Sequence, residues 1–193
     1  MDPLNVAAAP AELLSLSGVG LRFGTTSILD RINLAISAGE FVYLVGVSGS
    51  GKSTLLRVMA GLASPTTGSA SLRYRALPAA RGEASHVGFV FQAPTLLPWR
   101  TALGNVLLAL ELEGVSRAER RDRAVQALTL ARLAPADFDK LPHQLSGGMQ
   151  MRVSLARAIV TRQRLLLLDE PFAALDDLLR QQLNEEVLSL WSS

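Results

Sequence analysis

A run of glycine, serine and lysine constrains the fold of this chain more than any other feature. Residues 46–53 read Gly-Val-Ser-Gly-Ser-Gly-Lys-Ser and directly follow the apolar segment Phe41 to Val45. Small residues there let successive backbone N–H groups point inward around an anion, which bulkier side chains would prevent. The motif requires a buried strand before it and a helix after it. We therefore predict a strand over 41–45 and a helix over 52–62 that stops near Gly61.

This loop predicts a site for a magnesium-bound nucleoside triphosphate. Lys52 can reach the β- and γ-phosphate oxygens, the Ser53 hydroxyl can bind Mg²⁺, and the N-terminus of the following helix adds partial positive charge. The expected nucleotide-binding residues are Gly46, Ser48, Gly49, Ser50, Gly51, Lys52, Ser53 and Thr54. The alternative is a Gly/Ser-rich surface turn, and the completeness of the motif argues against it.

Two adjacent carboxylates, Asp169 and Glu170, follow a second apolar segment, Leu165 to Leu168. In parallel α/β sheets, ligands bind where the strands end at their carboxyl edge. We expect Asp169 to hold Mg²⁺ and Glu170 to orient or deprotonate an attacking water. For an isolated acidic pair, a polar strand end that caps the next segment is the alternative.

Two further side chains are candidates on weaker grounds. Phe23 lies just before a turn and either stacks on a base or is an ordinary core phenylalanine. Gln92 follows the predicted strand Val87 to Phe91, and its amide could reach the metal or the attacking water. A glutamine at a strand end is usually solvated, so the residue alone does not decide its role.

Strand and helix patterns alternate along the rest of the chain. Residues 13–23 and 28–36 have the pattern of antiparallel β-structure, and 103–162 is mostly helical in period. Breaks are expected at Gly114, Pro135 and Pro142. A capping box of Ser116 with Glu119 predicts the start of a helix that Pro135 ends, with Ala124, Leu128, Ala131 and Leu133 at helical spacing.

Composition limits the class of protein. A chain of 193 residues with 49% hydrophobic content can bury one sizeable core, which suggests one domain. The net charge of +2, with arginines interleaved among acids, gives no reason to expect a nucleic-acid partner. The absence of cysteine excludes disulfides and thiolate metal sites. No apolar run approaches the roughly 18 residues that span a bilayer, so membrane association is expected to go through a partner.

One more string decides which family the chain resembles. Leu145-Ser146-Gly147-Gly148-Met149-Gln150 precedes the amphipathic segment Met149 to Arg162. With this string and the phosphate loop, the chain resembles an ABC transporter ATPase. The resemblance implies an α/β fold of the P-loop NTPase class, with an antiparallel β subdomain and an inserted α-helical subdomain over about 95–160. It also implies a single domain over 1–193 that lacks its C-terminal part.

The resemblance implies ATP and Mg²⁺ as cofactors and a second ATPase subunit as partner. In that family, Ser146, Gly147 and Gly148 contact the γ-phosphate held by the opposite subunit of a head-to-tail dimer. The implied catalytic residues are Glu170, Gln92 and Lys52, and the implied metal site comprises Ser53, Gln92 and Asp169. By the same resemblance Phe23 stacks on adenine, and Asp176 lies in a loop, Ala174-Leu175-Asp176, that joins the subunits.

A finer similarity lies in Gln92-Ala93-Pro94-Thr95-Leu96-Leu97-Pro98-Trp99, which is similar to importers of nitrate, sulfonates and taurine. Arg100 and Met151 replace the Leu and Gln expected there. The similarity implies a separate transmembrane permease, an indirect solute-binding protein, and a peripheral position on the cytoplasmic face of the membrane. Leu96, Leu97 and Trp99 would then form an exposed apolar patch for the permease, whereas the alternative for Trp99 is a core position.

The resemblance also implies a further strand and a switch histidine after Trp191. The two histidines, His86 and His143, both precede Glu170, and His143 matches a lead-in to the signature string. We hypothesise a shortened product of a longer ATPase, because a missing interior strand would leave backbone groups unpaired. Two alternatives stay open: a subunit that binds ATP without hydrolysing it, and a soluble ABC protein of translation or DNA repair.

Overall fold

The computed structural model describes residues 12–72, 75–76, 87–161 and 163–171. The chain divides into two compact units, residues 1–83 and residues 84–193, and each is described by itself. Within the described residues, no helix has both the length and the apolar character needed to cross a bilayer. His86 and the segment from Ala174 to Asp176, which the resemblance assigns to the subunit boundary, lie outside the described residues.

An antiparallel sheet of four strands forms the first unit, in the order β2-β1-β3-β4. The strands are β1 (Glu12–Phe23), β2 (Thr26–Ser37), β3 (Thr67–Leu72) and β4 (Arg75–Ala76). The predicted antiparallel pair over 13–23 and 28–36 is confirmed, with Phe23 opposite Thr26 at a tight turn. The short strands β3 and β4 were not expected, because β3 has the sequence Thr-Gly-Ser-Ala-Ser-Leu, in which only two residues are apolar.

The helix predicted after the glycine-rich loop is confirmed as α1 (Lys52–Met59). It ends at Ala60, and Gly61 follows in the left-handed region with φ 70°. Its buried face, Leu55, Leu56, Val58 and Met59, packs on β2 and β3. The core of this unit is completed by Leu14, Leu16 and Val19 of β1.

The strand predicted over Phe41 to Val45 is wrong. Residues 41–47 belong to neither sheet of the described part of the chain. The Val45 side chain is 94% exposed, although its hydrophobicity suggested a buried strand. A strand is stable only when a neighbour completes its hydrogen-bond ladder, and an apolar segment has no local means of forming one.

Three helices pack together in the second unit. They are α2 (Ala102–Leu112), α3 (Arg117–Leu130) and α4 (Gly147–Ile159), with short 3₁₀ turns at Pro135–Asp137 and Pro142–Gln144. The predicted helical region and its breaks at Gly114, Pro135 and Pro142 are confirmed. The shared core of the three helices includes Val106, Leu110, Ala124, Leu128, Val153 and Ala156.

Two details of α3 differ from the sequence prediction. Ser116 occupies the N-cap position, but its side chain accepts no capping hydrogen bond, so the predicted capping box does not form. The helix ends at Leu130, before Pro135, and Arg132 adopts a left-handed φ of 54°. Ala131 and Leu133 are buried as expected, but they lie beyond the helix and complete the core from the loop.

A parallel pair of strands completes the second unit. Strands β5 (Val87–Val90) and β6 (Leu165–Leu168) pair with Val90 opposite Leu168, which confirms both predicted strands. Helix α4 packs closely on β5, where a Cβ on Gly88 would lie 2.8 Å from the Ala158 carbonyl oxygen. This contact places α4 against the strand that precedes Gln92.

Candidate nucleotide-binding site

The glycine-rich loop lies between residue 45 and the start of α1. Lys52 Nζ donates to the carbonyl oxygens of Gly46 (2.9 Å) and Val47 (3.1 Å). The Ser50 N–H closes a turn onto the Val47 carbonyl at 3.2 Å. The lysine ammonium therefore lies against the loop that its motif assigns to phosphate.

Two glycines show that this curl needs residues without a Cβ. A Cβ on Gly46 would lie 2.7 Å from Ser50 Oγ. Gly51 caps α1 with φ 93°, and a Cβ there would lie 3.0 Å from the Ile28 carbonyl oxygen of β2. A side chain at either position would disturb the path of the loop, so the small residues present fit a loop that curls around a bound phosphate chain.

The other predicted residues of this unit lie in the loop, in the first turn of α1 and at the β1–β2 turn. Ser48, Gly49 and Ser50 are exposed in the loop, and Ser53 and Thr54 are half-buried in the first turn of α1. Phe23 lies at the β1–β2 turn and is 65% exposed. Its position contradicts the core alternative and leaves an aromatic face available to a ligand.

The second unit brings Gln92 and the acidic pair to one edge of the parallel sheet. The Asp169 N–H donates to the Val90 carbonyl oxygen at 2.9 Å, which extends the β5–β6 ladder by one bond. Gln92, two residues after Val90, therefore follows the same strand end. Asp169 is only 6% exposed, whereas Gln92 and Glu170 are exposed.

Glu170 has a backbone that is unusual for its residue type. Its φ is 44°, in the left-handed region, which costs about 1–2 kcal/mol for a residue other than glycine. Strained backbone of this kind is concentrated at functional sites. An exposed carboxylate at a strand end can accept a proton from water.

The Ser146-Gly147-Gly148 string forms the start of α4. Ser146 is the N-cap, and its Oγ accepts from the Met149 N–H at 3.3 Å. Ser146 and Gly147 are exposed, while Gly148 is buried. A helix start has backbone N–H groups without intrahelical partners and a positive dipole end, which suit an anion.

Comparison with known proteins decides the family. A family profile described as ABC transporter matches residues 29–173. This chain belongs to the ABC transporter family. The match covers the phosphate loop, the helix start at Ser146 and the acidic pair.

Curated relatives of this ABC transporter chain include several import subunits. It is 42% identical over 88% of its length to the bicarbonate transport ATP-binding protein CmpD of Synechocystis, covering 59% of that protein. It is 45% identical over 95% of its length to the aliphatic sulfonates import ATP-binding protein SsuB of Burkholderia ambifaria, covering 54% of that protein. The taurine import ATP-binding protein TauB of Pseudomonas syringae is 40% identical over 93% of this chain and 68% of that protein.

The solved structures agree on the fold. The ATP-binding cassette MJ0796, in a dimeric post-hydrolysis state bound to ADP and Pi, superposes with a TM-score of 0.83 at 35% identity. The match covers 93% of this chain and 83% of that one. The expected P-loop NTPase fold is confirmed. The chain spans 59% and 54% of the first two curated relatives.

The ABC transporter chain exposes part of the predicted apolar patch. Trp99 is 73% exposed, so the core alternative for this residue is wrong. Leu96 and Leu97 are half-buried, and Leu96 packs against the three-helix core. The exposed patch is therefore smaller than the sequence predicted and is centred on Trp99.

Two side chains that the sequence analysis did not single out hold the segment between Gln92 and α2. Asn105 is fully buried in α2, and its Nδ2 donates to the carbonyl oxygens of Leu97, Arg100 and Thr101 at 3.0–3.2 Å. Its Oδ1 accepts from the Leu97 N–H at 2.7 Å. An asparagine one turn into an apolar helix is the only sequence signal for this role.

Arg157 of α4 is the second. Its guanidinium donates to the carbonyl oxygens of Thr95 (2.9 Å) and Pro94 (3.2 Å) and to Thr95 Oγ1 (3.1 Å). Burial lowers the pKa of Arg157. Since arginine titrates far above neutrality, the group stays charged. No sequence pattern connected it with a segment 62 residues away.

Proposed function

We propose that this chain is the ATP-binding subunit of an ABC importer, which binds and hydrolyses MgATP. The observation that carries the proposal is the fit of the phosphate loop: Lys52 lies against a curl that a Cβ on Gly46 or Gly51 would obstruct. A loop of this shape at a helix start suits a bound phosphate chain. Membership of the ABC transporter family supports adenosine triphosphate as the ligand.

Each remaining group has a role in this proposal. Ser53 and Asp169 hold Mg²⁺ through hydroxyl and carboxylate oxygens, the ligands this ion prefers. When bound, the ion neutralises phosphoryl charge. Glu170 accepts a proton from the attacking water, and Gln92 orients that water. Phe23 stacks on adenine, and Asp176 contributes at the subunit boundary.

We propose that two copies act as a head-to-tail dimer. The exposed start of α4, with Ser146 and Gly147 open to solvent, supports this arrangement because it offers an anion site at the surface. Two solved structures of the cassette MJ0796, which share the fold, are dimeric. In the dimer, Ser146, Gly147 and Gly148 of one copy contact the γ-phosphate held by the other.

The transport partner in this proposal is a separate permease, reached through the patch at Trp99. The chain then lies peripherally on the cytoplasmic face of the membrane, and a solute-binding protein acts with the permease. The solute is a small molecule of the nitrate, sulfonate or taurine type, supported by similarity to SsuB and TauB. No nucleic acid takes part.

Magnesium-dependent ATP binding tests the proposal directly. Equilibrium dialysis of the full chain with MgATP should give saturable binding that is lost on chelation. Lys52→Ala removes the charged donor and should weaken affinity roughly 10- to 100-fold. Arg57→Ala, on the exposed face of the same helix, is the control and should bind as the parent does. Equal affinity of the Lys52 variant and the parent would overturn the proposal.

A further inference from the structure

The Arg157 side chain attaches the loop that follows Gln92 to α4. Arg157 supplies three hydrogen bonds to Pro94 and Thr95, two of them to backbone carbonyls. Within the described residues, its charge is balanced by these oxygens and by no carboxylate. A half-buried guanidinium such as that of Arg157 needs such partners, because even partial desolvation without them is costly.

Thr95 explains why this attachment matters for the path of the loop. Its φ is 47°, a left-handed value that β-branched residues rarely adopt. Without hydrogen bonds that hold it, the Thr95 backbone would relax toward the negative φ values that β-branched residues prefer. Arg157 bonds both the carbonyl and the hydroxyl of this residue, which opposes that relaxation.

The attachment also limits how much of the loop can move. Strand β5 ends at Val90, Arg157 holds residues 94–95, and Asn105 holds Leu97 and residues 100–101. Gln92 thus lies in a span of three residues, 91–93, between two fixed points. Its carboxamide can be directed only if both ends stay fixed.

We propose that Arg157 is a positioning residue for Gln92, acting through Pro94 and Thr95. It also joins the loop to α4, whose other end carries Ser146. The inference rests on the proposed ATPase function. In this proposal Arg157 contacts neither the nucleotide nor the attacking water, and it is required for turnover and not for MgATP binding.

Hydrogen exchange of the nucleotide-free chain tests the claim that Arg157 holds the loop after Gln92 in place. In Arg157→Gln, amides in peptides spanning 92–99 should exchange at least about threefold faster, with α2 and β1 unchanged. Arg152→Gln is the matched control, since Arg152 lies on the same helix and donates to the Arg132 carbonyl at 2.7 Å. Unchanged exchange over 92–99 in a folded Arg157→Gln chain would overturn the proposal.

A conservative variant covers the case in which Arg157→Gln does not fold. Lysine keeps the charge but has no planar fork to bond two carbonyls and a hydroxyl together. Arg157→Lys should therefore accelerate exchange over 92–99 as well, by a smaller factor. Parent-like exchange in this variant would be evidence against the proposal.

Kinetic measurements test the claim that Arg157 is needed for ATP turnover. Arg157→Gln should lower the rate of phosphate release roughly tenfold at saturating MgATP, while the dissociation constant for MgATP stays within about twofold of the parent. A rise in that constant with an unchanged rate would contradict a positioning role. If the parent itself bound no MgATP, the proposed function would fail, whereas the exchange result would still decide whether Arg157 holds the loop.

Discussion

The three polar residues at the ends of β5 and β6 differ in their surroundings. Asp169 is buried and hydrogen-bonded through its backbone to Val90, whereas Gln92 and Glu170 face solvent. A buried carboxylate at the strand edge suits a fixed metal ligand, and an exposed one suits a group that exchanges protons with water. The difference in burial supports two distinct roles for two adjacent acids.

Glu170→Gln should separate nucleotide binding from turnover. The amide keeps the shape of the carboxylate but cannot accept the proton of the attacking water, so phosphate release should fall at least about 100-fold. MgATP affinity should stay near that of the parent, because Lys52 and the loop are unchanged. Phosphate release and equilibrium dialysis on the same preparation provide the two readings.

Glu119→Gln is the control for that substitution, since Glu119 is exposed on α3. It should leave both readings unaltered. Parent-like turnover in the Glu170 variant would remove this residue from the proposed reaction. A parent chain that binds MgATP without turnover would favour the binding-only alternative.

At the scale of elements, the starts of α3 and α4 can be compared directly, because both have the same residue type at the N-cap. Both helices have serine at the N-cap, but only Ser146 accepts a hydrogen bond from the helix, at Met149. Both serines have extended backbone dihedrals, so the two caps differ in the position of the serine side chain and not in the backbone of the N-cap residue. The stability of α4 therefore depends on its cap more than that of α3 does.

Ser146→Ala should lower the free energy of unfolding by about 1 kcal/mol, since one N–H at the helix start loses its acceptor. Urea unfolding followed by circular dichroism measures this. Ser116→Ala is the matched control and should change stability by less than about 0.5 kcal/mol. Equal losses in the two variants would show that the bond to Met149 contributes nothing.

At the scale of the molecule, the proposed active site needs two copies. The phosphate loop lies in the first unit and the start of α4 in the second. In a head-to-tail dimer these surfaces come from different chains, so one defective copy can supply what the other lacks.

Mixing two inactive variants tests this arrangement. Lys52→Ala disables the loop, and Gly147→Asp places a negative charge at the start of α4, where γ-phosphate is expected. Each variant alone should release phosphate at least about tenfold more slowly than the parent. Their mixture should recover part of the activity, because a mixed dimer contains one site with both intact halves.

The control is a mixture of the Lys52→Ala variant with a double variant that carries both Lys52→Ala and Gly147→Asp. No dimer in this mixture has an intact phosphate loop. Recovery in this control, or none in the first mixture although sedimentation shows dimers, would contradict a shared site.

Sequence predictions succeeded where the signal was local. The paired strands over 13–23 and 28–36, the helix from Lys52 and the strand Leu165–Leu168 all follow from short-range hydrophobic patterns and glycine or turn signals. The segment over 41–45 has an equally apolar pattern, but strand formation depends on a neighbour, and the prediction was wrong. The capping box at Ser116 also failed, since residue types permit such a bond without enforcing it.

The sequence by itself determined the family, the phosphate loop and the identity of the acidic pair, because those features depend on residues close together in the chain. The tertiary structure decided what depends on distant contacts. Pairing of Val90 with Leu168 brought Gln92 to the same edge as Asp169. Packing of α4 placed Arg157 within hydrogen-bond distance of Thr95, which is 62 residues away in sequence. No local pattern encodes such a contact, because its energy arises only once both segments have folded.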